Sequence, residues 1–187
     1  MIFRSLWTTL FILCAMASQA KDLRAQLYYC TFFAPGTGPY VEVYLTFDGK
    51  SLEYKQLDNG NYQGAIEVTL KFYQKDSLIQ SQNFIINSPE TSDPDQMQEV
   101  LLNQERIALS NGDYEIEINV KDVNSDMQPI KAFYDLAIHY PNNTMSFSDV
   151  ESITSIAESQ APGMFTKSGY DIIPYSSSYF PKNVETM

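Results

Sequence analysis

Asp122, Asn124 and Asp126 form a short alternating series of oxygen-bearing side chains that could bind a cation. Such alternation matches the first ligand positions of a calcium loop, where every second residue turns an oxygen toward one ion. A complete loop would need glycine where Met127 stands and a bidentate acid where Phe133 stands. A polar hairpin turn is therefore the competing interpretation, and a weak calcium site at these three residues is the hypothesis that we carry forward.

His139 is the single histidine of the chain, which limits the catalytic mechanisms available. Serine hydrolases, thiol proteases and histidine-ligated zinc enzymes each need an imidazole within a suitable cluster. No nucleophile elbow, CxxC or HExxH pattern is present, and His139 follows a strand pattern on its outward side, so we expect it at the surface. We predict no enzyme activity, no catalytic residue and no cofactor, with a glycoside hydrolase built on two scattered carboxylates as an open alternative.

Four aromatic residues are predicted to point away from the main core. Aromatic rings on the surface of a sheet can stack on sugars or anchor a protein partner. A second domain or the C-terminal tail could instead cover them. These candidate binding residues are Tyr28, Tyr44, Tyr73 and Phe133.

Period-two alternation is the strongest structural signal, because side chains point alternately to the two faces of a strand. Residues 113–121 show it most cleanly, with apolar and polar side chains on opposite faces. The four predicted inward sets are Val41, Val43, Leu45 and Phe47; Ile66, Val68, Leu70 and Phe72; Tyr114, Ile116, Ile118 and Val120; and Ala132, Tyr134, Leu136 and Ile138.

Turn-forming residues separate these segments, for example Asp48-Gly49 and Asn111-Gly112. Weaker strands are predicted at Leu27 to Phe33, Ser51 to Gln56 and Leu78 to Asn87. About seven strands at this spacing indicate an all-β protein with an immunoglobulin-like β-sandwich.

Two segments fit either a helix or a strand. Asp95 to Leu109 carries apolar residues at helical spacing, although Arg106 to Leu109 before Asn111-Gly112 could equally begin a hairpin. Ser148 and Glu151 have the spacing of a capping box, which predicts a helix from this point.

The N-terminus has the pattern of a secretory signal peptide. Arg4 precedes an apolar run from Leu6 to Ala15, and Ser18 and Ala20 are the small residues that a signal peptidase recognises. We expect cleavage after Ala20 and an exported chain, periplasmic, cell-surface or secreted, with no transmembrane segment. Lipidation at Cys14 is rejected because small residues do not precede it.

Charge and cysteine content narrow the classes of partner. The formal net charge of −11 comes from scattered acids, whereas nucleic-acid and anionic-lipid binding rely on basic patches. Removal of residues 1–20 would leave Cys30 as the single cysteine, so no intramolecular disulfide is expected. The sequon Asn142-Asn143-Thr144 matters only in a host that glycosylates asparagine.

The C-terminal part differs in composition, with Pro162-Gly163, Ser176 to Ser178 and Pro181 interrupting short apolar pieces. We expect three regions: a signal peptide at 1–20, the sandwich at 21–145, and a linker with a tail or a partial second β module at 146–187. Strand-forming apolar residues need a partner sheet, so a partial module implies a chain that ends before that module is complete.

Several phrases resemble the N-terminal region of exported bacterial GWxTD-domain proteins. They are Gly38 to Leu45, Gly64 to Thr69, Gly112 to Ile118, Phe147 to Glu151 and Lys167 to Tyr175. The resemblance implies sandwich modules in a cell-envelope protein of largely unknown activity, and it implies a strand at Phe147 to Ile153. The Gly-Trp-x-Thr-Asp motif itself is absent, since the single tryptophan is Trp7.

Three functions are compatible with these patterns. The first is an envelope module for protein interaction or scaffolding, with envelope proteins as partners. The second is a carbohydrate-binding domain that uses outward aromatic residues such as Tyr44 and Tyr73. The third is the carboxylate-based hydrolase.

Overall fold

A computed structural model describes residues 22–97, 99–141 and 144–175. The predicted signal peptide, its cleavage site and the first two residues of the sequon lie outside the described residues. Twelve antiparallel strands are present among the described residues, with short 3-10 turns at Gly49–Ser51 and Pro94–Gln96. The strands are β1 (Ala25–Ala34), β2 (Gly38–Asp48), β3 (Lys55–Gln56), β4 (Tyr62–Gln63), β5 (Ala65–Gln74), β6 (Ser77–Asn87), β7 (Val100–Ala108), β8 (Gly112–Asp122), β9 (Ile130–Ile138), β10 (Ile153–Glu158), β11 (Thr166–Lys167) and β12 (Tyr170–Pro174).

The strands form three principal sheets. The first sheet has the order β1-β2-β7, the second has β6-β5-β8-β9, and the third has β10-β12-β11; β3 and β4 make a separate hairpin. The all-β prediction is confirmed. In the part of the chain that the structure describes, no helix has the length and apolar character needed to cross a membrane.

One hydrophobic core joins the first and second sheets. It takes Val41, Val43, Leu45 and Phe47 from β2 and the alternate residues Ile66, Val68, Leu70 and Phe72 from β5. The predicted inward residues of β8 are buried in the same core, as are Leu136 and Ile138 of β9. The four inward sets read from the sequence are therefore confirmed, because burial of one face imposes the period of two.

β7 is a strand where apolar spacing had favoured a helix, so the helical interpretation of Asp95 to Leu109 is wrong. It pairs with β2 over its whole length, from Tyr40↔Ala108 to Asp48↔Val100. The hairpin alternative also fails, because β7 and β8 lie in different sheets although Asn111 and Gly112 connect them closely. The chain turns a corner between the sheets at this point.

The predicted helix from Ser148 is also wrong. Residues 148–152 are extended without regular structure, and β10 starts only at Ile153. The side-chain oxygens that resemble a helix cap accept backbone N–H groups of β1 instead: Ser148 Oγ accepts from Phe33 at 3.3 Å, and Asp149 Oδ2 accepts from Thr31 at 2.7 Å. These oxygens thus accept N–H groups at the edge of β1, in place of the N–H groups of a helix N-terminus.

Residues 148–175, which we call the C-terminal unit, contain the third sheet and lie against the outer face of the first sheet. The Asp149 N–H donates to the Thr31 carbonyl at 3.0 Å, and Arg106 Nη1 donates to the Thr166 carbonyl at 3.0 Å. These contacts are polar. Hydrogen bonds and ion pairs thus join the unit to the main body, on a face that also carries the buried side chains of Cys30, Phe32 and Tyr44.

Candidate functional site

A buried carboxylate, Glu42, lies at the centre of the contact between the first sheet and the C-terminal unit. Its position follows from the alternation of β2: Val41 and Val43 enter the core, so Glu42 must point to the outer face. Glu42 is nevertheless completely buried. A buried carboxylate is tolerated only with several donors, because its desolvation is costly.

Three side chains supply those donors. Tyr44 Oη donates to Glu42 Oε2 at 2.5 Å, and Arg106 Nε donates to Oε1 at 2.8 Å. Lys167 Nζ lies 3.3 Å from both carboxylate oxygens. Lys167 also lies 3.6 Å from Glu151 Oε2. We call these five residues the Glu42 cluster; it contains two acids and two bases.

Strand pairing explains why Glu42 and Arg106 meet. They are direct cross-strand partners in the β2–β7 register, so their side chains emerge side by side on the outer face. Tyr44 is two residues along the same strand and lies on the same face. Lys167 comes from β11 in the C-terminal unit, and Glu151 from the segment before β10.

Aromatic rings surround the cluster. Lys167 Nζ lies 3.5 Å from the centroid of the Phe32 ring and 6.0 Å from that of Tyr40. Those two rings stack with centroids 5.5 Å apart. An ammonium above an aromatic face is attracted by the ring quadrupole, and more strongly where water is excluded.

A second ring pair, Tyr28 and Tyr44, extends this outer face. Their centroids are 4.4 Å apart and the planes differ by 13°. Tyr28 Oη, Thr46 Oγ1 and Gln104 Oε1 are buried on this side without a hydrogen-bond partner. Because such groups lose hydration without compensation, this part of the face holds unused hydrogen-bonding capacity.

Burial raises the pKa values of the phenols and the thiol on this face. Desolvation, followed by the charge of Glu42, raises the pKa of Tyr40 to about 12. Desolvation and then the hydrogen bond to Glu42 raise the pKa of Tyr44 well above its usual value. Desolvation, followed by the charge of Asp149, raises the pKa of Cys30 to about 11. Cys30 is therefore a neutral thiol near pH 7, with its Sγ 3.9 Å from the Val150 carbonyl.

The four predicted binding aromatics fall on two faces. Tyr28 and Tyr44 lie on the outer face of the first sheet, where Tyr44 is completely buried and presents no surface to a ligand. Tyr73 is half-buried on the second sheet. Phe133, also on the second sheet, is 53% exposed, with Lys131 Nζ 4.8 Å from its ring centroid.

Two of the three predicted cation-binding residues, Asp122 and Asn124, form hydrogen bonds within a turn. Asp122 is buried and accepts from the backbone N–H groups of Glu53 at 2.7 Å and Asn124 at 3.0 Å. Asn124 donates through its side-chain amide to the carbonyls of Glu53 and Gln63, while Asp126 is exposed. No group of three or more His, Cys, Asp or Glu residues suited to a metal occurs among the described residues. Calcium binding at these three residues stays a prediction.

His139 is exposed, as its position in the pattern predicted. The Glu42 cluster, in contrast, was missed by sequence reasoning. Its one local signal is that Glu42 lies between Tyr40 and Tyr44 on the same face of a strand, which is an unusually aromatic setting for a carboxylate. Comparisons of the chain with protein-family models, with curated proteins and with solved structures found no match.

Proposed function

We propose that this chain is an exported cell-envelope module for protein interaction or scaffolding, without enzymatic activity. The observation that carries this proposal is a concentration of exposed apolar side chains in and just before the C-terminal unit. Exposed apolar surface of this kind marks interaction sites in soluble proteins. The residues are Met145, Phe147, Val150, Ile153, Ile156, Met164 and Tyr170.

The manner of attachment supports the same proposal. Polar groups of the C-terminal unit form hydrogen bonds and ion pairs with the first sheet. These groups belong to Asp149, Thr166 and Lys167. Five of its apolar side chains, Val150, Ile153, Ile156, Met164 and Tyr170, are exposed and can contact a partner. β10 is also an edge strand, since it pairs only with β12 in the described sheet, and an edge strand can accept another strand.

The experiment is affinity capture from a native envelope extract with a matched pair of variants. Ile156 is 56% exposed on β10 and Ile85 is 59% exposed on β6 of the second sheet. We expect the unmodified chain and Ile85→Asp to capture the same discrete protein, and Ile156→Asp to lose it. Absence of a discrete partner, or equal capture by both variants, would refute the assignment.

The proposal includes an immunoglobulin-like β-sandwich related to the N-terminal region of GWxTD-domain proteins. Support comes from the sequence phrases that resemble this family and from two antiparallel sheets that share one core. A chain that turns from one sheet to the other between β7 and β8 fits a sandwich connection. An experimental structure whose strand connections differ from that class would refute this part.

Export is proposed from the signal-peptide pattern alone. Cell fractionation followed by N-terminal sequencing should find the chain outside the cytoplasm and starting at Lys21. A cytoplasmic protein that retains Met1 would contradict it.

A second candidate function, carbohydrate binding, is supported by the exposed ring of Phe133. Phe133 and Tyr73 lie on the same sheet, and an exposed ring can stack on a sugar. A glycan array should then give hits that Phe133→Ala abolishes. An array without hits would refute carbohydrate binding, and protein interaction would then be the single remaining proposal.

A further inference from the structure

Two asparagines directly precede a glycine, Asn59 before Gly60 and Asn111 before Gly112. In such a pair the backbone nitrogen of the glycine can attack the side-chain carbonyl carbon of the asparagine, because glycine has no Cβ to obstruct the approach. The product is a five-membered succinimide, which water opens to aspartate or isoaspartate. Both pairs have the same chemistry in an unfolded chain, so the fold decides which of them reacts.

Asn59 and Gly60 lie in the exposed turn of the β3–β4 hairpin. Apart from its chain neighbours, no described residue has an atom within 4 Å of the position that a Cβ at Gly60 would occupy. The Gly60 N–H donates to the Leu57 carbonyl at 3.0 Å, and attack requires this hydrogen bond to break. In an exposed turn such a bond opens by local fluctuation, so the nitrogen becomes available while the large sheets stay intact.

The side-chain amide of Asn59 is held with a donor on its oxygen. Asn59 Oδ1 accepts the backbone N–H of Asn61 at 3.0 Å. Attack on the amide carbon places negative charge on this oxygen, and an N–H already directed at the oxygen stabilises that charge. Asn59 Nδ2, the nitrogen that would leave as ammonia, donates to Glu90 Oε2 at 2.8 Å. The turn therefore combines an open nucleophile with a polarised carbonyl.

The fold protects the second pair. Asn111 Nδ2 donates to the Tyr140 carbonyl at 2.9 Å, and Asn111 Oδ1 accepts the Tyr140 N–H at 2.8 Å. Gly112 is the first residue of β8 and pairs with Ile138. A Cβ at Gly112 would lie 2.5 Å from Gln74 Nε2, so the space around this glycine is filled. Attack here would require the strand end and both hydrogen bonds to Tyr140 to separate together.

We propose that Asn59 is a site of spontaneous deamidation in the folded protein and that Asn111 is protected. Gly60 N bonds to Asn59 Cγ and gives up its proton to solvent, which returns one to Nδ2 as the Cγ–Nδ2 bond breaks and ammonia leaves. One water then cleaves the succinimide, so amide and water become carboxylic acid and ammonia without any change of oxidation state. The proposal does not depend on a binding partner, and its failure would leave the proposed function unchanged.

Deamidation of Asn59 would change the surroundings of Glu90. Asn61 and Asn59 both donate to Glu90 Oε2, at 3.0 and 2.8 Å, and these hydrogen bonds lower the pKa of Glu90. A carboxylate at position 59 removes one donor and adds a like charge at the same place. The hairpin would then lose a contact with the neighbouring segment, to which the Tyr62–Thr91 bridge also joins it.

The test compares the folded chain with the chain unfolded in guanidinium chloride. Both are incubated at mildly alkaline pH, digested and analysed by mass spectrometry. In the unfolded chain the two asparagines should deamidate at similar rates. In the folded chain, aspartate and isoaspartate should form at Asn59 about tenfold faster than at Asn111. An Asn59 that stays intact in the folded chain while it reacts in the unfolded one, or equal rates at both positions in the folded chain, would overturn the proposal.

A matched pair of variants tests the effect on Glu90. Asn59→Asp, which has the charge of the product, should raise hydrogen exchange of the Thr91 amide severalfold, because that amide donates to the Tyr62 carbonyl in the adjoining bridge. Asn59→Asp combined with Glu90→Gln should restore the original rate, since a glutamine amide can donate to the new carboxylate. Equal exchange in the single and the double variant would refute the repulsion from Glu90.

Discussion

Glu42 is the residue on which attachment of the C-terminal unit most depends. Glu42→Gln removes the charge that Arg106 and Lys167 share and weakens the hydrogen bond from Tyr44. Both bases are partly exposed, so water offsets part of the loss. We expect the free energy of unfolding to fall by about 2 kcal/mol, measured by urea denaturation.

The matched control is Arg24→Ala. Arg24 and Asp48 form an ion pair at 3.2 Å with the arginine largely exposed, so the change should be below about 0.5 kcal/mol. Equal effects of the two substitutions would contradict a special role for Glu42.

Tyrosine protonation predicts loss of stability at high pH. The pKa of Tyr40 rises from 10.0 to about 12 on folding, so the folded state favours the neutral phenol. The resulting stabilisation is complete below pH 10 and is lost as the pH rises toward 12. Denaturation midpoints measured across this window should fall, and Tyr40→Phe should flatten the decline. An unchanged slope in Tyr40→Phe would count against this assignment.

The residue scale also shows why the candidate site was only partly predictable. Alternation placed Tyr44 on the outer face correctly. An outward glutamate is ordinarily solvated, so the sequence did not indicate that Glu42 is buried. Its contact with Lys167 joins residues 125 positions apart in the chain. Local patterns carry no information about such contacts.

At the scale of elements, the β11–β12 hairpin depends on its left-handed turn. Gly169 has φ 85°, and a Cβ there would meet nothing within 4 Å, so only backbone strain opposes a side chain. Gly169→Ala should destabilise this hairpin by about 1 kcal/mol. Hydrogen exchange at the β12 amides should accelerate accordingly.

Gly163→Ala is the control for that change. Gly163 lacks a positive φ, and its Cβ would make an ordinary 3.7 Å contact with Thr166 Oγ1. In the Gly163→Ala variant, the amides of β12 should exchange at the same rate as in the unmodified chain. Similar acceleration in both variants would argue against turn strain as the cause.

Strands with a regular alternation of apolar residues were predictable from the sequence, and β7 was not. β5, β8 and β9 alternate because one core covers one face of each, and β2 alternates in sequence although its outer face is buried as well. β7 breaks the rule: Asn103, Gln104 and Glu105 form a polar run, although Asn103 and Gln104 are buried. These polar residues interrupt the apolar period of β7, so alternation alone did not identify it as a strand.

In the molecule as a whole, the main body and the C-terminal unit are stabilised by different kinds of contact. The main body shares one apolar core, whereas the C-terminal unit is held by hydrogen bonds and ion pairs. Ion pairs of partly exposed groups weaken as salt rises. Higher salt should therefore accelerate hydrogen exchange in β10 and β12 and leave β5 and β8 protected.

Asp149→Ala should have the same regional effect at low salt, because it removes the acceptor for Thr31. Ser155→Ala on β10 is its exposed counterpart and should have little effect. Uniform loss of protection across all sheets, in place of this regional pattern, would show that the molecule opens as one unit.

The position of Lys167 late in the chain has a consequence for how the protein reaches its native state. The β5–β6 and β8–β9 hairpins join neighbouring segments, whereas Lys167 reaches Glu42 only after a long loop has closed. Until then, Glu42 carries a hydrated negative charge among Phe32, Tyr40 and Tyr44. That charge opposes aggregation of partly folded chains through this aromatic face. Refolding of Glu42→Leu and of Glu42→Gln should accordingly each yield more aggregate than refolding of Lys167→Met, which keeps the carboxylate, and equal yields would remove this protective role.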